Sequence, residues 1–300
     1  MVPARILQQR AAFLQAIRTY FIDRGYLEVD TPVRIPAPAP EAYIDPEPAG
    51  DWYLQTSPEL CMKRLLAAGF PQIFQICKCF RRHERGDRHL PEFTMLEWYQ
   101  ARADYCGLMA ECEQLLPFVA AKLGFAGEIA TEDGTVSLAA PWQRLTVAQA
   151  FARFGAMSLA EALAGDCFDE VLVRDIEPQL GRETPTFLYD YPASLGSLAR
   201  LKPENPAVAE RFELYIGGVE LANGFSELSD HVEQRHRFDS EQRLIGELGR
   251  TPAPLPESFL AALPEMGPAA GIALGLDRLL MLLLGAGTID EVVPFTPESL

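Results

Sequence analysis

The residues of this sequence best suited to chemistry fall in three short stretches. The first, FRRHERGDRHLPEFTMLEWY, covers residues 80–99. It places Arg81 at the tip of one predicted strand and Phe93, Glu97 and Tyr99 on a single face of the next, because side chains alternate along a strand. A carboxylate on a core-facing strand is costly unless it is paired. We therefore interpret Glu97 either as a ligand-binding group or as the partner of a nearby Arg or Lys.

The second stretch, GVELANGFSE, runs from residue 218 to residue 227. It supplies two carboxylates, Glu220 and Glu227, and the amide of Asn223. Its pattern predicts a strand over residues 218–222 that ends in a turn at Asn223 and Gly224. Oxygen ligands at this spacing suit Mg²⁺ or an ammonium group. A solvated turn without a ligand is the alternative interpretation.

The third stretch, GIALGLDR, covers residues 271–278 and combines two glycines with an arginine. The glycines allow a ligand or a neighbouring backbone to come close, and Arg278 falls in the first turn of a predicted apolar helix. Helix starts attract anions, and a guanidinium adds a fixed fork for phosphate oxygens. The alternative is that the glycines pack against the sheet and Arg278 pairs with an acid.

Hydrophobic periodicity predicts the elements that position these stretches. Two strands, over residues 72–80 and 92–101, flank a charged loop and predict an antiparallel hairpin. For the segment 125–205 the pattern predicts a mixture of short helices and loops, and no residues there indicate a chemical role. The other predicted elements are helices over 5–24, 56–68, 104–123 and 229–248, strands over 26–30, 186–191 and 212–216, an irregular proline-rich loop over 35–48, and a strand-to-helix unit over 271–284.

Composition limits the class of protein. The chain has 300 residues, 48% hydrophobic, so it can bury a large core, and we expect one catalytic domain over residues 1–300 with a variable insertion at 125–205. The formal net charge of −16, from 42 acids and 26 bases, disfavours tight nucleic-acid binding. Six scattered cysteines and the absence of a long apolar run or secretory signal predict a cytoplasmic protein with free thiols and no membrane partner.

Together the three stretches resemble the motifs of class II aminoacyl-tRNA synthetases of the lysine branch. Residues 24–32, RGYLEVDTP, resemble the first motif, residues 80–99 the second and residues 271–278 the third. The sequence ahead of residue 24 is too short for the anticodon-binding OB-fold of lysyl-tRNA synthetases. The chain therefore resembles the stand-alone paralogues that attach a β-lysine to a lysine of elongation factor P, and residues 56–59, 62–66 and 218–227 are similar to that family as well.

The resemblance implies an α+β class II catalytic fold, an antiparallel β-sheet flanked by helices, that uses ATP and Mg²⁺. It implies that the enzyme activates lysine or β-lysine as an adenylate and transfers it to elongation factor P. Two alternatives remain open, a synthetase-like enzyme that charges tRNA and a non-catalytic paralogue that binds lysine or ATP. The first motif usually forms a two-fold interface in this family, so a homodimer is expected by analogy.

The resemblance also implies roles for individual residues. Arg81 would bind the α-phosphate of ATP, Phe93 would stack on the adenine, and Arg278 would stack on the other adenine face or hold the γ-phosphate. Glu220 would hold Mg²⁺, with Glu227 as a second ligand or as the partner of the substrate ammonium. Further ATP contacts are expected from His83, Glu84, His89, Leu221 and Gly275, and substrate contacts from Ser57, Pro58, Glu59, Glu97, Tyr99, Asn223 and Ala273.

Four positions depart from the patterns of the lysine branch. The family commonly reads Phe-Arg-Asn-Glu in the second motif, whereas Arg82 and His83 follow Arg81 here and the acid is Glu84. Leu90 replaces the usual asparagine after the loop histidine. Ala273 stands where lysyl-tRNA synthetases typically have glycine, which is similar to the paralogues and favours a β-amino acid.

Overall fold

A nine-stranded sheet carries most of the chemically interesting residues. The structure, a computed structural model, describes residues 3–131 and 134–300. The strands, in chain order, are β1 (Leu27–Glu28), β2 (Arg34–Ile35), β3 (Pro48–Ala49), β4 (Trp52–Leu54), β5 (Gln72–Phe80), β6 (Glu92–Ala101), β7 (Glu128–Thr131), β8 (Gly134–Ser137), β9 (Gln143–Thr146), β10 (Thr186–Pro192), β11 (Leu201–Lys202), β12 (Asn205–Ile216), β13 (Val219–Ser226) and β14 (Ala269–Gly275).

Helices cover the sheet, and the fold is α+β as predicted. They are α1 (Ala4–Ile22), α2 (Glu59–Ala67), α3 (Tyr105–Lys122), α4 (Val147–Phe154), α5 (Leu159–Ala164), α6 (Phe168–Val171), α7 (His231–Glu247), α8 (Glu257–Met266) and α9 (Leu276–Leu284). None of the helices within residues 3–131 and 134–300 has both the length and the apolar character needed to cross a membrane.

The large sheet has the strand order β1-β5-β6-β14-β13-β12-β10-β9, and β11 pairs with β12. Its central ladders are antiparallel, as expected, but its two ends are parallel, where β1 pairs with β5 and β9 pairs with β10. The predicted hairpin of β5 and β6 is present, in a register that pairs Gln72 with Gln100 and Phe80 with Glu92. The three stretches that carry charge therefore lie on adjacent strands β6, β14 and β13.

The two faces of the sheet have different environments because side chains alternate along each strand. On β6, Leu96 and Trp98 are fully buried in the main core, which also contains apolar side chains of α1, α3 and α9. Phe93, Glu97 and Tyr99 point to the opposite face. A second core, beneath α2 and α8, closes one end of that opposite face and includes Tyr99. One face of the sheet thus holds the fold together and leaves the other to form a cleft.

The predicted turn at Asn223 and Gly224 was wrong. Strand β13 continues through both residues, and the hairpin to β12 turns instead at Gly217 and Gly218, which have φ values of 59° and 72°. Gly224 is needed for packing, because a Cβ there would lie 2.8 Å from the Phe212 ring and 2.9 Å from Cβ of Ile272. Here a glycine next to an asparagine permits a close approach between strands. The sequence pattern alone does not distinguish this packing role from a turn.

Several other predicted boundaries shift by a few residues. Strand β1 has only two residues, where residues 26–30 were predicted, and α2 begins at Glu59 after Pro58. Strand β12 begins at Asn205, seven residues earlier than its apolar part indicated. The described residues of segment 125–205 fold as predicted into short helices and connections, but they also form β7, β8 and β9, and α4 to α6 surround their own apolar core.

Asp277 joins three elements at the start of α9. Its carboxylate lies 2.6 Å from the Arg10 guanidinium of α1 and accepts a hydrogen bond of 2.6 Å from the backbone N–H of Thr94 in β6. Asp277 is 2% exposed, so both interactions occur away from water. A buried carboxylate is tolerated only when such partners satisfy it.

We expect Asp277→Ala to lower the free energy of unfolding by about 3–5 kcal/mol, because it leaves the Arg10 charge and the Thr94 N–H without their partner. Urea unfolding measures the change. Glu28→Ala is the matched control, since Glu28 pairs with Arg18 on the surface, where such pairs contribute about 0–1 kcal/mol. Equal losses in both variants would show that the Asp277 contacts contribute no more than a surface pair.

Candidate active site

A cleft of about 400 Å³ opens over β6, β14 and β13. That volume lies within the range of small-molecule sites. Most of the residues predicted from the sequence as site residues line it, and they come from segments more than 200 residues apart. The predicted residues that line it are Ser57, Glu59, Arg81, Glu84, His89, Phe93, Glu97, Tyr99, Glu220, Leu221, Asn223, Ala273, Gly275 and Arg278.

Three predicted residues have other positions. His83 is exposed in the loop between β5 and β6, where its φ of 68° places the backbone in the left-handed region. Pro58 precedes the first turn of α2. Glu227 is buried behind the cleft wall formed by Gly271, because a Cβ on that glycine would lie 2.4 Å from Glu227 Oε1.

Two guanidinium groups mark one end of the cleft. The Arg81 guanidinium carbon lies 5.2 Å from the centroid of the Phe93 ring and its Nη1 lies 3.8 Å from the Glu84 carboxylate. Arg81 Nε is buried and has no hydrogen-bond partner within the described residues, so it can donate to a ligand. Guanidinium groups bind phosphate oxygens in this way. An aromatic face and a free cationic donor therefore lie side by side, which suits a nucleotide.

Arg278 links the charged loop to β13. It donates from Nη1 to the backbone carbonyl of Glu220 at 2.9 Å and from Nε to that of Arg88 at 3.1 Å. Its Nη2 lies 2.6 Å from His89 Nε2. Burial, and after it the positive charge of Arg278, lowers the pKa of His89, so a neutral ring is favoured. Arg278 thus holds the loop 81–90 against the sheet.

Glu97 occupies the opposite end of the cleft. It accepts hydrogen bonds from the Ser57 hydroxyl at 2.6 Å and from the Tyr99 hydroxyl at 2.7 Å. Burial raises its pKa to about 8, and the nearby Glu59 charge adds to the increase. A cationic ligand would reverse this shift because an opposite charge favours the ionised carboxylate. In the described residues the hydrogen-bond partners of Glu97 are hydroxyl groups and not an Arg or Lys, so ligand binding by Glu97 stays a prediction.

A buried lysine, Lys63, lies between two of the acids. Its ammonium lies 2.5 Å from Glu59 Oε1 and also forms an ion pair with Glu227 Oε2. Burial raises the pKa of Glu227 to about 8, whereas Lys63 opposes the increase. Glu227 Oε1 has no hydrogen-bond partner within the described part of the chain. An unsatisfied buried oxygen fits a donor brought by a ligand, such as an ammonium.

Glu220 and Glu227 do not converge on one ion. They lie seven positions apart on β13 and just beyond its end, which at about 3.3 Å per residue corresponds to roughly 20 Å of strand. Different charges surround them, since Glu213 and Arg278 act on Glu220 whereas Lys63 acts on Glu227. Within the described residues no group of three or more metal-ligating side chains is present. Glu220, which lines the cleft, fits a Mg²⁺ whose other ligands are phosphate oxygens, and Glu227 fits an ammonium.

Arg211, Glu213 and Glu41 also line the cleft, although the sequence patterns did not predict them as site residues. Arg211 donates from Nε to Asn223 Oδ1 at 3.2 Å and from Nη2 to Glu213 at 2.7 Å, so it orients the amide predicted to bind substrate. Arg and Glu two residues apart on the apolar strand β12 were the available signal, because alternation puts both on one face. Glu41 lies in the proline-rich loop, where no regular pattern indicates direction.

The comparisons with known proteins agree with this geometry. Residues 2–299 match the family described as tRNA synthetases class II (D, K and N). The chain is 40% identical over 308 residues to the elongation factor P–(R)-β-lysine ligase of Salmonella gallinarum, an alignment that covers 97% of this chain and 95% of that protein. The proteins of the same name from Salmonella paratyphi B and Salmonella schwarzengrund match equally well. The chain belongs to the class II tRNA synthetase family.

Proposed function

We propose that this protein is an ATP-dependent ligase that activates lysine or β-lysine as its adenylate and transfers it to a lysine side chain of elongation factor P. The proposal rests on the different chemistry of the two ends of the cleft. Arg81, Phe93 and Arg278 line an end suited to a nucleotide. Glu97 lines an end suited to an ammonium group, and Glu227 is buried behind Gly271 with one oxygen unpaired in the described residues. The acceptor is taken from the names of the relatives.

The adenylation step asks the protein to align two reactants and to stabilise negative charge. The substrate carboxylate attacks the α-phosphorus of ATP in line, and pyrophosphate leaves. Arg81 would bind the α-phosphate oxygens, where charge grows during this step, and Arg278 would bind the adenine face or the γ-phosphate. Because both side chains are already held by their neighbours, they lose little freedom on binding.

Mg²⁺ forms part of the proposal. Glu220 would hold it, and the ion when bound would neutralise phosphate charge. Burial, together with the Glu213 charge, raises the pKa of Glu220 to about 7 and the Arg278 charge opposes this increase. A divalent cation would further favour the ionised form that binds it.

The acceptor is proposed to be a protein rather than tRNA because of charge. An enzyme that binds tRNA tightly neutralises phosphates with clustered Lys and Arg, and this chain carries a formal charge of −16. Within the loop 81–90, Arg85 pairs with Asp290 and Glu298. That arginine is therefore committed to internal contacts.

The homodimer remains a proposal that rests on the family resemblance of residues 24–32. The ends of α1 and β1, and the segment before β5, expose the apolar side chains of Ile22, Leu27 and Phe70. Burial of such exposed apolar side chains would favour a subunit contact.

Arg81→Ala should reduce lysine-dependent exchange of pyrophosphate into ATP by roughly 100- to 1,000-fold, the usual effect of removing a donor to developing charge. The reason is that the α-phosphate loses its cationic partner. Isotope exchange with lysine or β-lysine measures it. Arg82→Ala is the control, because Arg82 is exposed and reaches Glu47 at only 3.9 Å. Unchanged exchange in Arg81→Ala would remove Arg81 from the nucleotide site.

Glu97→Gln should raise the KM for lysine on the order of 10- to 100-fold and change the KM for ATP little. The expected size follows from the loss of a charged hydrogen-bond acceptor, about 1.5–3 kcal/mol. Steady-state exchange with each substrate varied in turn gives both constants. If the two constants rise equally, Glu97 does not belong to the side-chain pocket.

Gly271→Ala should raise the KM for lysine by roughly tenfold or more. A Cβ at this position would lie 2.2 Å from Tyr99 Cε1 and 2.4 Å from Glu227 Oε1, so both side chains must shift. Gly246→Ala in α7 is the matched control, since its Cβ would meet nothing within 4 Å. A wild-type KM in Gly271→Ala would show that Tyr99 and Glu227 do not form the substrate pocket.

A further inference from the structure

One carboxylate in the cleft, that of Glu41, has no role in the proposed binding of ATP or of the amino acid. Glu41 lies in the loop 36–47 between β2 and β3 and lines the cleft together with Ile44. The loop thus places a carboxylate on the wall of the cleft, among the charges of Arg81, Arg211 and Glu59. An ammonium group that enters the cleft can contact a carboxylate in this position.

The loop is fixed by the helix and turn beside it. The Ala42 backbone N–H donates to Glu241 Oε2 of α7 at 2.7 Å. Arg250 donates to the Ala42 carbonyl and pairs with Asp45. Ala42 is 1% exposed, so the residue that follows Glu41 is anchored in the interior. Glu41 is therefore held at the cleft by its backbone while its own side chain remains available.

The other acids that line the cleft already have partners. Glu41 is the lining carboxylate for which the described part of the chain, residues 3–131 and 134–300, provides no side-chain hydrogen bond or ion pair. The others and their partners are Glu59 with Lys63, Glu84 with Arg81, Glu97 with Ser57 and Tyr99, Glu213 with Arg211, Tyr191 and Tyr215, Glu220 with Arg278, and Asp277 with Arg10.

Four charged groups face Glu41 from the elements packed around it. Arg81 and Arg211 favour its ionised form, and Glu59 and Glu241 oppose it. Burial outweighs these charges and raises the pKa of Glu41 to about 7. A group with such a pKa is ionised about half the time near neutral pH, which suits a proton acceptor.

The second step of the proposed reaction requires such a group. A lysine side chain in water carries a proton at neutral pH, because its pKa is about 10.4. The protonated amine has no free electron pair and cannot attack the adenylate. We propose that Glu41 binds the acceptor ammonium and takes up its proton, an inference that rests on the proposed function.

One N–H proton of the acceptor ammonium moves to the Glu41 carboxylate, and the freed electron pair attacks the carbonyl carbon of the adenylate. The new C–N bond forms, the bond from that carbon to the phosphate oxygen breaks, and AMP leaves with the electron pair. The second N–H proton lost as the amide forms passes to the departing phosphate. Glu41 returns its proton to water after the product leaves.

Glu41→Gln separates this role from the first step. We expect transfer of β-lysine from the preformed adenylate to purified elongation factor P to fall roughly 100-fold or more, the usual range for a general base. Pyrophosphate exchange should change less than about threefold. Hydroxylamine, whose nitrogen is already neutral at pH 7, should still capture the adenylate as the hydroxamate at nearly the wild-type rate, because it needs no base.

Two further variants serve as controls. Glu41→Asp keeps a carboxylate and should recover part of the transfer rate. Glu47→Gln, on the same loop with a side chain that is 45% exposed, should match the wild type in all three assays. The pH profile adds a readout that a structural role would not move. Wild-type transfer should rise with pH and level off above about 7, whereas transfer by Glu41→Gln should continue to rise about tenfold per pH unit as the free amine becomes neutral.

The outcomes are distinct. Loss of transfer with retained exchange and hydroxamate supports the role of Glu41. Wild-type transfer in Glu41→Gln overturns it and leaves the ligase function intact, as does a loss of all three activities together, which would place Glu41 in nucleotide binding. If wild-type protein shows no exchange with lysine or β-lysine, the proposed function itself fails.

Discussion

The excess of buried negative charge at one end of the cleft is the constraint on which the rest of the site depends. Glu59 and Glu227 pair with a single buried ammonium, that of Lys63, and the Glu97 carboxyl lies within the influence of the same charge. Burial raises the pKa values of Glu97 and Glu227 to about 8, so ionising both acids at neutral pH is unfavourable without a nearby positive charge. A substrate with two ammonium groups, such as lysine or β-lysine, would supply the missing positive charge, and a neutral amino acid would not.

The sheet makes this arrangement possible by pairing strands from distant parts of the chain. β14 lies between β6 and β13, with Ala273 opposite Glu97 on one side and opposite Asn223 on the other. Gly271 allows Tyr99 and Glu227 to approach over the sheet, since any side chain there would occupy their space. The apolar face below, packed on α1, α3 and α9, fixes the register that these contacts require.

Much of the site follows from the sequence because its residues lie on regular strands. Alternation alone puts Phe93, Glu97 and Tyr99 on one face, and they line the cleft. Lys63 was not predicted to join the acids, because nothing in a helix sequence indicates which distant carboxylate will meet it. Glu41 was missed for a related reason: the direction of a side chain in a proline-rich loop is set by tertiary contacts such as those of Arg250 with the loop.

The sequence also predicted most elements of the sheet, and its errors have a common cause. Glycine occurs both in turns and where strands pack closely. Asn223 and Gly224 were predicted to form a turn because the Phe212 ring, which requires a glycine at position 224, belongs to the neighbouring strand β12. The paired strands of segment 125–205 were missed because they are four residues long and lack an apolar pattern of their own.

If the cleft joins a lysine-type amino acid to a protein, one incubation of the purified protein with ATP, Mg²⁺, β-lysine, elongation factor P and tRNA, analysed by mass spectrometry, will show it. We expect elongation factor P to become heavier by one lysyl residue, with AMP and pyrophosphate formed and the tRNA unchanged. Aminoacylated tRNA beside unmodified elongation factor P, or no consumption of ATP at all, would contradict it.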